Sequence, residues 1–138
     1  MTVQNSVRCR EARLDAFEAT VGASPLYRIR TGTQPAGGCS AASTGTIMFE
    51  ITLPSDWMEA AGATLPGKKG KSATAWEGVG AANGTAGHYE IIGTGGVCDE
   101  RGSITVTGGG GDMTVANTSI ALNQPVTVTS YLKTAGNA

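Results

Sequence analysis

The sequence predicts a mainly β protein, a single-domain antiparallel β-sandwich or jelly roll with one N-terminal α-helix. Short runs alternate apolar and hydroxyl side chains at a period of two, which is the spacing of a strand with one buried face. The 21 glycines, with abundant threonine and alanine, favour short strands and tight turns over helices. About seven or eight such runs recur roughly every ten residues, as they do in sandwiches and jelly rolls.

A chain of 138 residues is expected to form one domain. Within residues 1–138 we predict an N-terminal helical segment over 1–22, the β-sandwich over 25–133 and a tail over 134–138. Charged residues make up only 15% of the chain, well below the quarter or so that is usual in soluble domains. Low charge of this kind favours association with other proteins.

Charge and hydropathy also indicate which partners to expect. A formal net charge of -1 gives no broad electrostatic attraction to nucleic acid or to an anionic membrane. No apolar run approaches the length of a bilayer span, and the polar N-terminus does not resemble a secretion signal. We therefore expect no nucleic-acid partner and no membrane partner, and synthesis in a reducing cytoplasm.

The one convincing helix is predicted over residues 3–21. Apolar side chains recur there at three- and four-residue steps, with an arginine in one position of the stripe. Asn5 or Ser6 is expected to cap its start, and Gly22 stands where a C-terminal glycine belongs. The narrow stripe either packs on its own sheet or docks on another subunit. Its members form the candidate interface, namely Val3, Val7, Arg10, Leu14, Phe17 and Val21.

Two strands are predicted after the helix, on either side of a loop at 32–45 that is rich in small residues. Residues 26–30 alternate so that Tyr27 and Ile29 share one face. Residues 46–53 give the clearest strand pattern of the chain. Its apolar face consists of Ile47, Phe49, Ile51 and Leu53.

The middle of the chain is predicted to be less regular. Residues 55–61 are expected to form a single helical turn that folds Trp57 and Met58 over the end of the sheet. Residues 62–72 are predicted to be a mobile loop by their composition. Its lysines are expected to be solvated, or else to meet an acidic patch on a partner. These lysines are Lys68, Lys69 and Lys71.

Strands are predicted again at 73–77 and 87–92, and residues 93–102 are predicted to be an exposed hairpin loop. Between 102 and 132 apolar residues alternate with threonines, and the glycines at 108–111 are expected to make a hairpin turn. The predicted inner face of this part contains Ile104, Val106, Val126 and Val128.

The polar face of the C-terminal strands carries almost no charge, since Asp112 and Lys133 are the only charged residues after Gly102. A hydroxyl-rich face without lysines or glutamates is poorly protected against pairing with another chain. We therefore expect a neighbouring protein to cover it.

No catalytic, cofactor or metal site is predicted. His88 is the only histidine, and no serine stands in a Gly-x-Ser-x-Gly elbow. The glycines at 108–111 lack the lysine and the helix that follow a phosphate-binding loop. Glu50 and Glu90 lie on predicted strands, where we expect them to face solvent rather than to form a glycosidase pair. The protein is therefore not expected to be an enzyme.

The three cysteines, Cys9, Cys39 and Cys98, show no Cys-x-x-Cys spacing. A reducing compartment favours three unpaired thiols. A bridge between Cys39 and Cys98 is the alternative if the mature protein lies outside a cell.

Several stretches of structural sequence carry a resemblance to a known family. They are Asn5-Ser-Val-Arg, Ala12-Arg-Leu-Asp-Ala-Phe-Glu, Leu53-Pro-Ser-Asp-Trp-Met, Gly84-Thr-Ala-Gly-His-Tyr, Gly108-Gly-Gly-Gly-Asp-Met-Thr-Val-Ala-Asn-Thr-Ser-Ile and the final Thr134-Ala-Gly-Asn-Ala. With these stretches nearly the whole chain resembles the capsid cement, or decoration, proteins of tailed phages.

The resemblance implies a jelly-roll-like homodimer that binds the outside of a shell of major capsid proteins and ties neighbouring capsomers together. Its implied location is the outer capsid surface of the virion, after a period in the host cytoplasm. It implies no cofactor and no substrate, and it brings no catalytic residues. The low charge agrees with this role, because weak contacts become strong when they are repeated on a closed lattice.

A glycan-binding, adhesin-like module on a virion or tail fibre is the alternative function. The rings of Trp57, Trp76 and Tyr89 would stack on sugars in that case. Packing of these rings in the core is the competing interpretation.

Overall fold

The computed structural model describes residues 3–135, so the first two residues of the predicted helical segment and the last three of the predicted tail lie outside it. Strands account for 40% and helical residues for 14%, which confirms the mainly β class with one helix. The elements are α1 (Val7–Val21), β1 (Leu26–Thr31), β2 (Ile47–Thr52), β3 (Lys68–Gly70), β4 (Glu77–Val79), β5 (Gly84–Ile92), β6 (Cys98–Val106), β7 (Met113–Val115), β8 (Ser119–Ile120) and β9 (Pro125–Thr134).

The nine strands join into one curled sheet. Seven of them follow the order β2-β1-β5-β6-β7-β9-β3, while β4 pairs with β9 and β8 pairs with β5. Every pairing is antiparallel except that of β6 with β7, which is parallel. The sheet is therefore mixed, and the purely antiparallel prediction is wrong at this pair.

The glycines at 108–111 connect the parallel pair and do not make the predicted hairpin turn. The chain folds back along β6, and the Asp112 carboxylate accepts hydrogen bonds from the backbone and the hydroxyl of Ser103, both at 2.9 Å. Gly111 donates to the Thr105 hydroxyl at 3.0 Å. A Cβ on Gly111 would stand 2.8 Å from that oxygen. The close return of the chain therefore requires glycine at this position.

Strands β1 and β2 follow the predicted alternation, with one irregularity. Tyr27 and Ile29 are fully buried on the predicted face. Met48 is also fully buried, although its neighbour Phe49 points into the core. The register shifts after Ile29, so that Met48 is an extra residue in a β-bulge.

Strand β5 is covered on both faces. Tyr89 and Ile91 point into the core, and His88 and Glu90 on the opposite face are also 0% exposed. The expectation that Glu90 faces solvent is therefore wrong, because the loop at 32–45 lies over that face of the sheet and bonds to its charged side chains.

Other local predictions also differ from the structure. Residues 55–61 form no helical turn, although Trp57 and Met58 fold over the sheet as expected and are buried. Residues 93–102 are not an exposed loop, because β6 already begins at Cys98. Val106 is 45% exposed rather than buried on the inner face. The predicted strand at 73–77 is displaced to β4.

All seven aromatic side chains form one cluster, in which six are buried in the core and Phe17 of α1 packs against them from outside. Neighbouring ring centroids lie 5.8–6.2 Å apart in tilted or edge-to-face contacts, a spacing at which aromatic pairs attract. The cluster consists of Phe17, Tyr27, Phe49, Trp57, Trp76, Tyr89 and Tyr131.

The helix is capped by Ser6 and ends at Val21 as predicted, but it begins at Val7 and not at residue 3. The Ser6 hydroxyl accepts a hydrogen bond from the Cys9 N–H at 3.2 Å, which satisfies one free donor of the first turn. Gly22 adopts φ +92° and donates its N–H to the Glu18 carbonyl. Its own carbonyl accepts from Trp57 Nε1 at 3.0 Å, which ties the end of the helix to the core.

The inner side of the helix is held largely by charge. Lys69 on β3 is only 2% exposed, so the prediction that it belongs to a solvated loop is wrong. Its Nζ lies 2.7 Å from Asp15 Oδ1 and 2.6 Å from Glu18 Oε2. The hydrogen bond from Lys69 to Asp15 holds the pKa of the Asp15 carboxyl below its ordinary value. Leu14 and Val21 supply the buried apolar contacts of the same side.

Replacing Lys69 should loosen this attachment. We expect Lys69→Met to lower the free energy of unfolding by about 1–3 kcal/mol, because two charge-assisted hydrogen bonds are lost. Lys68→Met is the matched control and should cost less than about 0.5 kcal/mol, as surface changes usually do; Lys68 makes no ion pair among residues 3–135. Urea unfolding measures both, and equal midpoints would contradict this account.

Candidate functional site

One part of the surface carries no charged side chain. The ranges 78–87 and 113–132 contain no Asp, Glu, Lys, Arg or His. The sheet brings them together, because β4 pairs with the start of β9 and the start of β5 pairs with β8. We call the exposed part of these two ranges the charge-free surface. The remaining charges lie on the helix, on β1 to β6, near the end of β9 and in the segments that follow β2, β3 and β6; Glu77 on β4 and Asp112 border the charge-free surface.

The charge-free surface exposes apolar side chains on a well-fixed turn. Val79 is 54% exposed and Leu122 is 57% exposed. Asn83 Oδ1 accepts the N–H of Leu122 at 2.9 Å, and Asn123 with φ +63° donates its N–H to the Gly80 carbonyl at 2.8 Å. The apolar groups are therefore presented to solvent by a rigid backbone.

The outer face of β9 next to this turn is lined by hydroxyls that bind one another. Thr129 Oγ1 lies 2.8 Å from Thr107 Oγ1 and 2.7 Å from Thr114 Oγ1, which is in turn 2.6 Å from Ser130 Oγ. Part of the hydrogen-bonding capacity of these groups is thus already used within the chain. Covering this face costs less desolvation than covering free polar groups would.

The stripe on the helix is divided between two environments. Leu14 and Val21 are buried against the body of the protein, and Phe17 packs on Trp57. Arg10 donates to the Ala135 carbonyl at 3.0 Å. These four members of the predicted interface are engaged within the chain. Val3 and Val7, at 73% and 42% exposure, are open to a partner.

A group of buried charges lies under the loop at 32–45. Glu90 Oε1 is 2.8 Å from Arg30 Nε, and Oε2 is 3.1 Å from Arg101 Nε. Burial by itself raises the pKa of Glu90, but the hydrogen bonds and charges of the two arginines outweigh it and leave this pKa below its ordinary value. Glu50 on β2 is exposed, as predicted, and pairs with Arg28 at 2.6 Å.

A second carboxylate lies at the floor of an open cleft of about 590 Å³ between α1, β6 and β9. Glu100 Oε1 accepts hydrogen bonds from Tyr89 at 2.6 Å and Tyr131 at 2.7 Å, and Lys133 pairs with Oε2. Burial and the Glu100 charge raise the pKa of both tyrosines, so that both hydroxyls remain donors. Lys133 Nζ also lies 4.1 Å from the Phe17 ring centroid, which links β9 to the helix.

His88 faces the loop at 32–45 and not a cleft. Its Nδ1 lies 2.8 Å from the Gly32 carbonyl, to which it donates as the N–H tautomer. Its Nε2 is buried and finds no hydrogen-bond partner among the described residues. No serine or carboxylate in residues 3–135 contacts this ring through a hydrogen bond.

The reducing-compartment argument favoured three free thiols, and this prediction is wrong for two of the three cysteines. Cys39 and Cys98 form a disulfide with a Cα–Cα distance of 5.3 Å, across 59 residues of sequence. Cys9 remains an exposed thiol on the helix. Spacing alone did not decide between these outcomes, since the pairing depends on where the loop at 32–45 folds.

The three rings proposed to stack on sugars are members of the aromatic core. Trp57 and Trp76 are 0% exposed and Tyr89 is 2% exposed. No face of these rings is available to a sugar. The competing interpretation, that they pack in the core, is confirmed.

Residues 3–135 contain no group of three or more His, Cys, Asp or Glu side chains that could hold a metal ion. In the same range, no helix has the length and apolar character needed to cross a membrane.

No protein-family model, no curated protein and no solved structure matches this chain.

Proposed function

We propose that this chain is a structural virion protein that binds the outside of a phage capsid and stabilises contacts between capsomers. The observation that carries the proposal is the charge-free surface, where a rigid turn exposes Val79 and Leu122 beside a face of mutually bonded hydroxyls. Burying such a surface costs little free energy of desolvation and gains free energy from the apolar side chains. It is therefore suited to a stable interface with another protein.

The partners in this proposal are the major capsid protein and a second copy of the chain. Standard interfaces bury on the order of 800 Å² on each partner, so the contact would extend from the turn over the adjoining face of β9. Because a shell repeats the same contact many times, even a weak contact holds a subunit that touches several neighbours. The exposed Val3 and Val7, which are not part of the charge-free surface, offer a separate contact.

The proposal includes a jelly-roll-like fold and a location on the outer capsid surface, reached from the host cytoplasm. Support for the finer fold description comes from the curl of the sheet around one aromatic core and from the side pairings of β4 and β8. The charge pattern supports the location, since one uncharged side would meet the shell while the charged helix and neighbouring strands would face solvent.

A single charge on the proposed contact should disrupt binding. We expect Val79→Asp to reduce the amount of protein that sediments with phage shells at least tenfold, because the carboxylate would be buried without a partner. Val97→Asp is the matched control, since Val97 is 64% exposed and lies beyond the opposite end of β5. At about 3.3 Å per residue the nine residues of β5 place the two valines far apart.

The measurement is the ratio of this chain to the major capsid protein in purified shells, with circular dichroism to confirm that both variants fold. Folded Val79→Asp that binds as well as the Val97→Asp variant would rule out the charge-free surface as the contact. Shells that lack the protein but resist heat as well as complete shells would remove the stabilising role itself.

A further inference from the structure

The loop at 32–45 is a cover whose two ends are fixed independently of its tip. Gly32 and Gly45 both adopt φ +78°, which reverses the chain at each end. At the base, the Thr31 N–H donates to the Thr46 carbonyl at 3.1 Å and the Thr46 N–H donates to the Thr31 hydroxyl at 2.9 Å. The loop therefore has the closed base and compact form of an Ω-loop.

The tip of the loop has a different attachment. One turn of 3-10 helix, Gly38–Ser40, places Cys39 against Cys98 at the start of β6. Arg101 also holds the tip, because its Nη1 donates to the Gly38 and Ala41 carbonyls, the latter at 2.8 Å. The disulfide is thus the one covalent link between the tip and the sheet within residues 3–135.

The cover hides charged groups. Glu90 is 0% exposed and the Arg101 side chain is 2% exposed, and Ser43 in the cover bonds to both of them. The segment itself has no charge and consists mainly of Gly, Ala, Ser and Thr. It has little apolar area of its own with which to stay closed, and its hydrogen bonds to Arg101 and Glu90 can be exchanged for bonds to water once the tip lifts.

We infer that the Cys39–Cys98 disulfide reversibly holds this cover closed. When the disulfide is reduced, the tip lifts and exposes Arg101 and Glu90, while the sheet stays folded. A dithiol reductant supplies the two electrons and two protons. Its own two sulfurs become a disulfide, and Cys39 and Cys98 each become a thiol. The tip is then free in reducing surroundings, and a small-molecule disulfide, which takes up two electrons and two protons, restores the bridge in oxidising ones.

This inference does not depend on the proposed function, since it concerns only the cover and the two cysteines. The strand pairings and the base of the loop are made by their own backbone hydrogen bonds, none of which passes through the bridge. Reduction is therefore expected to act locally.

Two chemical probes test the inference in a Cys9→Ser background, which prevents disulfides between molecules. Phenylglyoxal, an arginine reagent, should modify Arg101 at least tenfold faster in the dithiothreitol-reduced protein than in the oxidised protein. Arg8 on the exposed helix serves as an internal control and should react equally in both. A broad-specificity protease should likewise cut within 32–45 at least tenfold faster after reduction, since trypsin has no site there.

A variant with both Cys39→Ser and Cys98→Ser should react like the reduced protein whether or not oxidant is present, and reoxidation of the parent should restore slow labelling. Equal rates of Arg101 labelling and loop cleavage in the two redox states would overturn the inference. Loss of the far-UV circular dichroism signal on reduction would also overturn it, because the bridge would then hold the whole fold and not the cover.

Discussion

Glu90→Gln is expected to lower the free energy of unfolding by about 3–5 kcal/mol, the usual cost of removing one partner from a buried charge pair. The glutamine keeps the shape of the side chain but removes its charge. Arg30 and Arg101, whose side chains are 12% and 2% exposed, would then lie beneath the loop at 32–45 without a buried carboxylate. Two largely dehydrated guanidinium groups left in this way account for the size of the expected effect.

Glu50→Gln is the matched control for this change. Glu50 lies on the neighbouring β2 strand and pairs with Arg28 at 2.6 Å, but its side chain is 41% exposed. Exposed pairs contribute about 0–1 kcal/mol. The difference in free energy of unfolding between Glu90→Gln and Glu50→Gln therefore reports the effect of burying the ion pair, since both variants lose an ion pair.

The same carboxylate gives the stability a pH dependence with a defined sign. Because the arginines hold the pKa of Glu90 below its ordinary value near 4.5, its contribution is fully present above that value. The contribution is lost as the pH falls through the lower pKa of the folded state. Urea titrations of the parent and of Glu90→Gln at pH 7 and at decreasing pH should converge in acid, and a constant difference would contradict this assignment.

Trp76→Ala is expected to lower the free energy of unfolding by about 3–5 kcal/mol, as large-to-small changes of buried aromatic residues do. Trp76 is 0% exposed and its ring contacts three others, Trp57, Tyr27 and Tyr131, with centroids 5.8–6.1 Å away. Its removal would leave a cavity at the centre of the aromatic cluster, which the curled sheet cannot close without moving several strands.

Trp76→Phe separates the loss of volume from the loss of the ring, and should cost clearly less than Trp76→Ala. Thermal and urea unfolding of the two variants give the comparison. A cost below about 1 kcal/mol for Trp76→Ala would mean that the ring is not part of a packed core. Because Trp76→Ala is expected to destabilise the fold, any loss of binding to phage shells in this variant is attributed to a lost contact only if circular dichroism shows that the variant is folded.

Features set by neighbouring residues were predictable from the sequence. The helix, its cap at Ser6 and its end at Gly22 follow from short-range hydrogen bonding. The faces of β1 and most of β2 follow from alternation, until the bulge at Met48 interrupts the period. The absence of charge from much of the C-terminal half was also visible directly in the sequence, although the surface it forms with residues 78–87 was not.

Features set by distant residues were not predictable in the same way. Lys69 stands in a segment whose composition is that of a loop, and only the position of the helix explains why it is buried. Glu90 alternates with apolar residues as a surface residue would, yet a segment some fifty residues earlier covers it. The parallel pairing of β6 with β7 departs from the expectation that a short connection makes a hairpin.

The position of β9 has a consequence for the biogenesis of the protein. This strand bonds to β7, β3 and β4, which come from three separated parts of the chain. None of those pairings forms until residues 125–134 have left the ribosome, so the sheet is completed only after they have been synthesised. Until then β3, β4 and β7 present strand edges that β9 does not yet cover, and unpaired edges of this kind are the parts of a sheet most prone to pair with another chain.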